Sequence, residues 1–505
     1  MKKINKAIAL LVMMTMLFTM AACGIEKEPA NSTDGKVTLA DKIGDEPDST
    51  VEDEKIASEK TGNDVSGSTD KVLYPDKTWE TIKAKNTDQV NITMWIPNSA
   101  TSTMGTAIGE LAQRYNAEQS EKFSGKNINV TVEYQGTSGA LNTKLQAAIL
   151  AGNNPVISAV GVSSVPIYES KAVDLRNVFT YDEIQGLNQG LLQYSIYNGK
   201  FMLIPYFPSA SNILVANKTL IESKGFKLPT PESIISDPGN SNWTWDEFKK
   251  IAVGITTIDA ADDAKNIYGF AAGSVDPVGM MFQQGGKLYN DTVTAIEFDK
   301  DDKIKTGLEF WRSLVTDNAM RNPNSRANHN TIITSEFYTG NVGIIYTTSS
   351  NLTTMTTKSK EAGFEITALP FPKKASFFVN QGGSGIILLD NKPQGEIEAG
   401  ADFLEWLVQP ENVAHMCAKS GYLPVNPKAT GEAELLAIYN EIPALKTVSE
   451  YMQFGIRSPQ GKAKSAADKK VNEYAKQIWS EPDKSIDAII DELKKEAEYE
   501  IEANQ

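Results

Sequence analysis

An α/β fold is predicted by three observations: segments that alternate as strands do, segments of helical period between them, and the order in which the two take turns. Val90-Asn91-Ile92-Thr93-Met94-Trp95 alternates apolar and polar residues like a half-buried strand. Ile108, Leu111, Ala112 and Tyr115 then recur at helical spacing, and Ile128 to Tyr134 alternates again. A second helical stretch runs through Leu141, Leu145, Ala148 and Ile149, breaks at Asn153-Asn154-Pro155, and yields to the apolar run Val156 to Val162. Strand, helix, strand, helix, strand is the pattern of a parallel sheet covered on both faces. Ligands of such sheets sit beyond the carboxyl ends of the strands. Trp95 to Ser102, Gly136 to Gly139 and Ser163-Ser164 therefore share one rim.

The middle of the chain changes character. Asn198-Gly199 separates Tyr194–Tyr197 from Phe201–Pro205 and predicts a tight hairpin, since both central residues of that turn need positive φ. Phe207 to Asn212 then leads into the apolar run Ile213 to Ala216. Thr244-Trp245-Asp246-Glu247 predicts a capping box, with hydroxyl and carboxylate each satisfying an orphan amide at a helix start. Further helices are marked by Ile304, Leu308, Trp311 and Val315; by Ile397, Phe403, Leu404 and Leu407; and by Ile486, Ile489, Ile490 and Leu493.

Composition narrows the function. The 505 residues carry 49 Lys plus Arg against 64 Asp plus Glu, a formal charge of −15, which disfavours a protein that neutralises nucleic-acid phosphates. With 41% hydrophobic and 22% charged residues the bulk is ordinary globular sequence, enough for two or three domains at roughly 150 residues each. Two cysteines, Cys23 and Cys417, exclude a disulfide framework and a four-thiolate zinc site. Two histidines, His329 and His415, have no second ligand at helical spacing, so neither a metal nor a cofactor is expected.

The amino-terminal stretch 1–22 reads as a secretory signal: Lys2, Lys3 and Lys6 precede an apolar run, Ala7 to Ala22, too short to span a bilayer comfortably. Met20-Ala21-Ala22-Cys23-Gly24 resembles a bacterial lipobox, apart from Met20 where Leu is usual, so Cys23 is the expected lipidation site. Acyl chains there contribute about 0.8 kcal/mol per buried methylene towards membrane attachment. Residues 23–87 are expected to form a lipid-anchored, disordered acidic linker, because Gly24 to Leu73 lacks any aromatic residue and cannot bury enough apolar surface to order itself.

From about Val90 to about Glu492 the chain resembles the extracellular solute-binding proteins of carbohydrate-type ABC importers, close to the glycerol-phosphate and oligosaccharide binders. The residues that carry the resemblance are Leu111-Ala112-Gln113-Arg114-Tyr115-Asn116, Gly152-Asn153-Asn154-Pro155, Asn242 to Phe248, Gly343 to Ser349, Leu369-Pro370-Phe371-Pro372, Gly382-Gly383-Ser384-Gly385 and Gly421-Tyr422-Leu423-Pro424-Val425-Asn426. The resemblance implies a two-lobed, periplasmic-binding-protein-like (type II) fold with a hinge and an interlobe cleft. It puts one lobe at 88–208 plus 347–382 and the other at 209–346 plus 383–505, with crossings near Ser209, Thr347 and Gly383. It also implies a monomeric lipoprotein on the extracytoplasmic face of the cell membrane. Its partners would be a carbohydrate ligand and the transmembrane subunits of a permease.

A sugar needs flat apolar faces for its C–H patches and short hydrogen-bond partners for its hydroxyls. Trp95, Tyr134, Trp243, Trp245 and Tyr422 are the aromatic candidates, although Trp245, in the first turn of a predicted helix, suits the core. The cleft-facing turns offer Ser138, Ser163, Ser209, Ser211, Ser349 and Ser350, with Gly383 for close backbone approach. By resemblance, Tyr422 stands where a family tyrosine reaches the ligand, and Arg457 approximately where glycerol-phosphate binders use an arginine. Val162 and Ser138 replace the glutamate and the aromatic of those binders, which argues for another carbohydrate than glycerol phosphate.

Two other functions stay open on sequence. A surface-tethered hydrolase would need an acid and base from carboxylates such as Asp246, Glu247, Glu398 or Glu405. A ligand-sensing partner of a membrane receptor would carry the same cleft.

Overall fold

The computed structural model describes residues 89–97, 99–118, 127–325 and 327–504. The signal segment 1–22, the lipidation site Cys23 and the linker 23–87 lie outside the described residues. In chain order the strands are β1 (Val90–Ile96), β2 (Ile128–Tyr134), β3 (Ile157–Gly161), β4 (Ile196–Tyr197), β5 (Lys200–Phe201), β6 (Ile204–Ala210), β7 (Ile213–Asn217), β8 (Tyr268–Ala271), β9 (Val342–Thr347), β10 (Ile366–Pro370) and β11 (Gln381–Leu388).

The first sheet has the order β2-β1-β3-β11-β6. Its β1, β2 and β3 are parallel, with Trp95 opposite both Glu133 and Ser158, whereas β11 runs antiparallel to β3 and to β6. The expected βαβαβ start is therefore present and is extended by two antiparallel strands. Its helices begin where short polar side chains satisfy orphan amides: Ser102 accepts from Gly105 N at 3.0 Å before Thr103–Ala117, and Thr137 from Ala140 N at 3.2 Å before Ser138–Ala151. Asn198 (φ 47°) and Gly199 (φ 73°) make the predicted turn between β4 and β5.

The second sheet has the order β10-β7-β9-β8. Every residue of β7 is buried, as a continuous apolar run requires. The helix Trp245–Ile255 packs against this sheet through Trp245, Phe248, Ile251, Ala252 and Ile255. Only half of the predicted capping box forms at its start. Thr244 Oγ1 accepts from Glu247 N at 3.3 Å, but the Glu247 carboxylate turns to Lys250 Nζ at 3.1 Å.

The sheets divide the chain differently from the expected 88–208 plus 347–382 against 209–346 plus 383–505. After β9 the chain forms the helix Leu352–Ala362 and then β10, which pairs with β7, so no crossing occurs at Thr347. The glycine-rich run at 382–385 is no turn into the second lobe; it lies in β11, between β3 and β6 of the first sheet. The chain thus crosses at 211–212 and again at 371–380. Helix Gln394–Leu407 then packs on β1, and Pro410–Ser420 on Thr103–Ala117, both in the first lobe. Helices Lys464–Ala475 and Ile486–Ala503 pair with each other, and the latter packs on Lys303–Thr316 of the second lobe. Helix Pro443–Tyr451 already packs on β10 of the second sheet, so a further crossing lies between Pro410–Ser420 and that helix. No described helix is long and apolar enough to cross a membrane.

Candidate functional site

The carboxyl ends of β1, β2 and β3 and the facing end of β11 form the rim of the first sheet. Trp95 is half-buried there, and its indole donates to Glu133 Oε2 at 2.8 Å, which fixes the ring across β1 and β2. Ser163 is half-buried just past β3; Ser138 is exposed at the start of its helix, beyond the outermost strand β2. Tyr134 spends its hydroxyl on Gly105 O at 3.1 Å.

Where the lobes join, hydrogen bonds lace successive segments side by side. Ala210 N donates to Ser349 Oγ at 3.0 Å, Ser211 N and Oγ both donate to Asn380 O at 2.9 and 3.1 Å, and Val379 N donates to Phe454 O at 3.3 Å. Ser209 pairs with Gly382 in the β6–β11 ladder. Ser209, Ser211, Ser349 and Gly383 are thus brought together at one seam. Ser349 is 0% exposed and holds the hinge through Ala210, while Ser350 beside it points to solvent. Gly383 has φ +88°, and a Cβ there would lie 2.2 Å from Phe207 O. Its bare backbone lets β11 approach β6.

Two aromatic expectations need correction or refinement. Trp243 is 0% exposed: its indole donates to Pro370 O at 2.9 Å and packs edge-on to Phe248, so it is a core residue of the second lobe and offers no face to a ligand. Trp245 is core as expected, bonded to Gln283 Oε1 at 3.1 Å. Tyr422 is half-buried against Phe207, with ring centroids 5.9 Å apart, and Leu423 N donates to Pro208 O at 3.0 Å. Tyr422 therefore adjoins Gly383, which pairs with Pro208. The hydrolase carboxylates fall apart: Asp246 and Glu247 open a second-lobe helix, and Glu398 and Glu405 lie on a first-lobe helix.

Arg457 is exposed and stands away from the serines, at a pocket of 410 Å³. One wall is the β4–β5 hairpin tip of the first lobe, the other is Lys287, Asp291 and Thr292 of the second, and Arg457 to Gln460 runs between them.

Four polar residues at the seam, Asp276, Asn212, Asn380 and Gln381, escaped sequence reasoning. Asp276, the N-cap of the helix Pro277–Phe282, accepts from Gly279 N at 2.8 Å and from Asn212 Nδ2 at 3.3 Å, and Asn212 Oδ1 accepts from Asn380 N at 2.7 Å. Tyr194 OH closes the chain on Asn380 Oδ1 at 2.8 Å. Burial pushes the Asp276 carboxyl above its ordinary value, and burial together with that carboxylate pushes the Tyr346 hydroxyl well up. Asp276-Pro277 reads in sequence only as a helix start. Gln381, 1% exposed, has neither side-chain amide atom bonded, although buried amides are as a rule satisfied. Among the described residues no three His, Cys, Asp or Glu side chains are grouped to hold a metal.

Residues 110–447 match the family described as bacterial extracellular solute-binding protein. The sn-glycerol-3-phosphate-binding periplasmic protein UgpB of Escherichia coli (strain K12) is 22% identical over 374 residues, 70% of this chain and 79% of that protein. Among solved structures, the cyclic alpha-maltosyl-1,6-maltose binding protein from Arthrobacter globiformis superposes with a TM-score of 0.66 at 21% identity, covering 82% of this chain and all of that one. The sugar-binding protein MalE from Xanthomonas citri gives 0.67 at 14% identity, over 82% of this chain and 98% of that one.

Proposed function

Because the chain belongs to the bacterial extracellular solute-binding proteins, whose two-lobed fold it shares, we propose that it captures a carbohydrate, a sugar or oligosaccharide, between its lobes. It delivers that ligand to the transmembrane subunits of an ABC permease while a lipid on Cys23 tethers it to the extracytoplasmic face of the membrane. The observation that carries this reading is the seam itself. Ser209, Ser211, Gly383, Asp276 and Asn380 come from both lobes and both crossings, and they offer the mixture of donors and acceptors that sugar hydroxyls need. Trp95, Ser163 and Tyr422 flank them, with Ser138 further out and Arg457 at the pocket. A ligand that touches both lobes binds the closed form better than the open one, so closure follows from differential affinity.

The relatives support the ligand class by their names, which speak of a glycerol phosphate and of maltose-type sugars. Titration of intrinsic fluorescence against a panel of mono- and oligosaccharides, with product analysis alongside, tests the proposal. Saturable binding with intact ligand is expected. Turnover of any glycan, or no binding across the panel, would overturn it.

A further inference from the structure

Resting on the lobe closure proposed above, we propose that the buried ion pair of Lys464 and Asp468 is a brake on closure, so that the lobes stay apart until a bound solute offsets the cost of drying the pair. The two side chains open the helix Lys464–Ala475, one turn apart, with Nζ donating to Oδ2 at 2.9 Å.

This helix stands between the lobes. It is carried by the second lobe through Ile486–Ala503, and it touches both Pro277–Phe282, which follows β8 in that lobe, and Val162–Tyr168, the short helix that follows β3 in the first. Lys464 is 3% exposed. Its ammonium lies 5.7 Å from the centre of the Tyr289 ring, in the second lobe. On the other side is Tyr194 of the first lobe, whose hydroxyl is pushed up by burial and drawn partly back by the same ammonium. The charge is thus shut between one tyrosine of each lobe. Gln460, in the segment that leads into the helix, is equally buried and has neither amide atom bonded.

Taking an ammonium and a carboxylate out of water costs more than their attraction returns unless their remaining hydrogen-bonding capacity is also met. Here the three N–H donors of Lys464 find one carboxylate oxygen and the face of a ring. The Gln460 amide adds the cost of an unmet buried polar group. Any rotation that parts Tyr194 from Tyr289 lets water reach all three side chains, so these costs fall on the closed form alone. A solute held by both lobes offsets them by binding that form better. The closed fraction scales the affinity of every ligand by one factor, so the pair sets how tightly the protein binds without choosing the sugar.

Small-angle scattering and backbone hydrogen exchange of the mature full-length chain, both without ligand, test the brake. Lys464→Met/Asp468→Leu replaces the pair by apolar side chains of similar size. Relative to the parent, its radius of gyration should fall, and the amides of 162–168 and 462–468 should exchange at least twofold more slowly. Lys464→Met alone strands the carboxylate and should give neither change. Gln460→Leu, which removes the unmet amide and keeps the pair, should shift both readouts in the direction of the double variant, and it decides the matter if the double variant does not fold. Unchanged size and exchange in the folded variants, compaction by Lys464→Met equal to that of the double variant, or full protection of 162–168 in the ligand-free parent overturns the brake. A lower melting temperature at unchanged size marks a merely structural ion pair and overturns it too. Since no ligand enters either measurement, the sugar panel decides the carbohydrate reading separately.

Discussion

Gly383→Ala tests whether the glycine run serves the hinge. Two costs are written into the structure. The backbone sits at φ +88°, a region that costs an L-residue about 1–2 kcal/mol. The new methyl would also stand 2.2 Å from Phe207 O, so the β6–β11 pairing must spread, and forced overpacking costs about 1–3 kcal/mol more. The sum is about 2–5 kcal/mol. With an unfolding entropy of about 2.1 cal/mol/K per residue over roughly 400 residues, that loss lowers the melting temperature by about 2–6 °C. Gly152→Ala is the matched control, because Gly152 has φ +73° with no atom within 4 Å of the added carbon. It should lose only the backbone contribution, about 1–2 kcal/mol. Denaturant unfolding of the two variants and the parent, read as midpoints with slopes checked for constancy, isolates the clash as their difference. Equal destabilisation would refute the close approach of β11 to β6.

Trp243→Ala should destabilise by about 3–5 kcal/mol in denaturant unfolding, as expected for a large buried aromatic, while the folded fraction keeps its sugar affinity; a selective loss of affinity would return Trp243 to the cleft. Ser349→Ala strands the buried Ala210 N–H and should cost about 1–3 kcal/mol, measured the same way, with Ser349→Thr less severe if its hydroxyl reaches the same donor. Tyr422→Ala should lower both stability, by about 1–2 kcal/mol for the lost Phe207 contact, and carbohydrate affinity, by tenfold or more in a fluorescence titration. Asp276 supplies a pH test. Its folded value is raised, so between the ordinary 3.8 and that raised value the folded form holds the extra proton and stability falls as pH rises. Asp276→Asn should remove that downward slope, visible in the difference between the two stability–pH curves; identical slopes would place the carboxylate in water.

Local pattern carried the strands and helices because each rests on neighbours in sequence. The alternation of Val90–Trp95 and Ile128–Tyr134, the helical spacing of Ile304, Leu308 and Trp311, and the Asn198-Gly199 turn all survive in the structure. Sheet membership does not rest on neighbours. Nothing within β10 or β11 says that one pairs with β7 and the other with β3 and β6. The same limit misplaced Trp243. Its loop position before a helix suggests exposure, but Lys373, 130 residues later, donates N–H to Trp243 O at 3.0 Å and seals the indole beneath Pro370.

The seam was half legible for a related reason. Serines at turns after strands announce themselves by topology, because the rim of an α/β sheet is defined by strand ends. Asp276, Asn212, Asn380 and Gln381 do not, since each is an ordinary turn or strand residue until the two crossings lie side by side. Their joining has a mechanical consequence. Ser211 and Asn380 sit on adjacent crossings and bond to each other, so rotation of one lobe against the other need not break that bond. Asp276 belongs to the second lobe yet grips Asn212 on the first crossing and faces Tyr346 on β9. A hydroxyl-rich ligand that bonds Asp276 competes with those partners and couples its own binding to the posture of the hinge. The residues hardest to read from sequence are therefore the ones through which occupancy and closure can be linked.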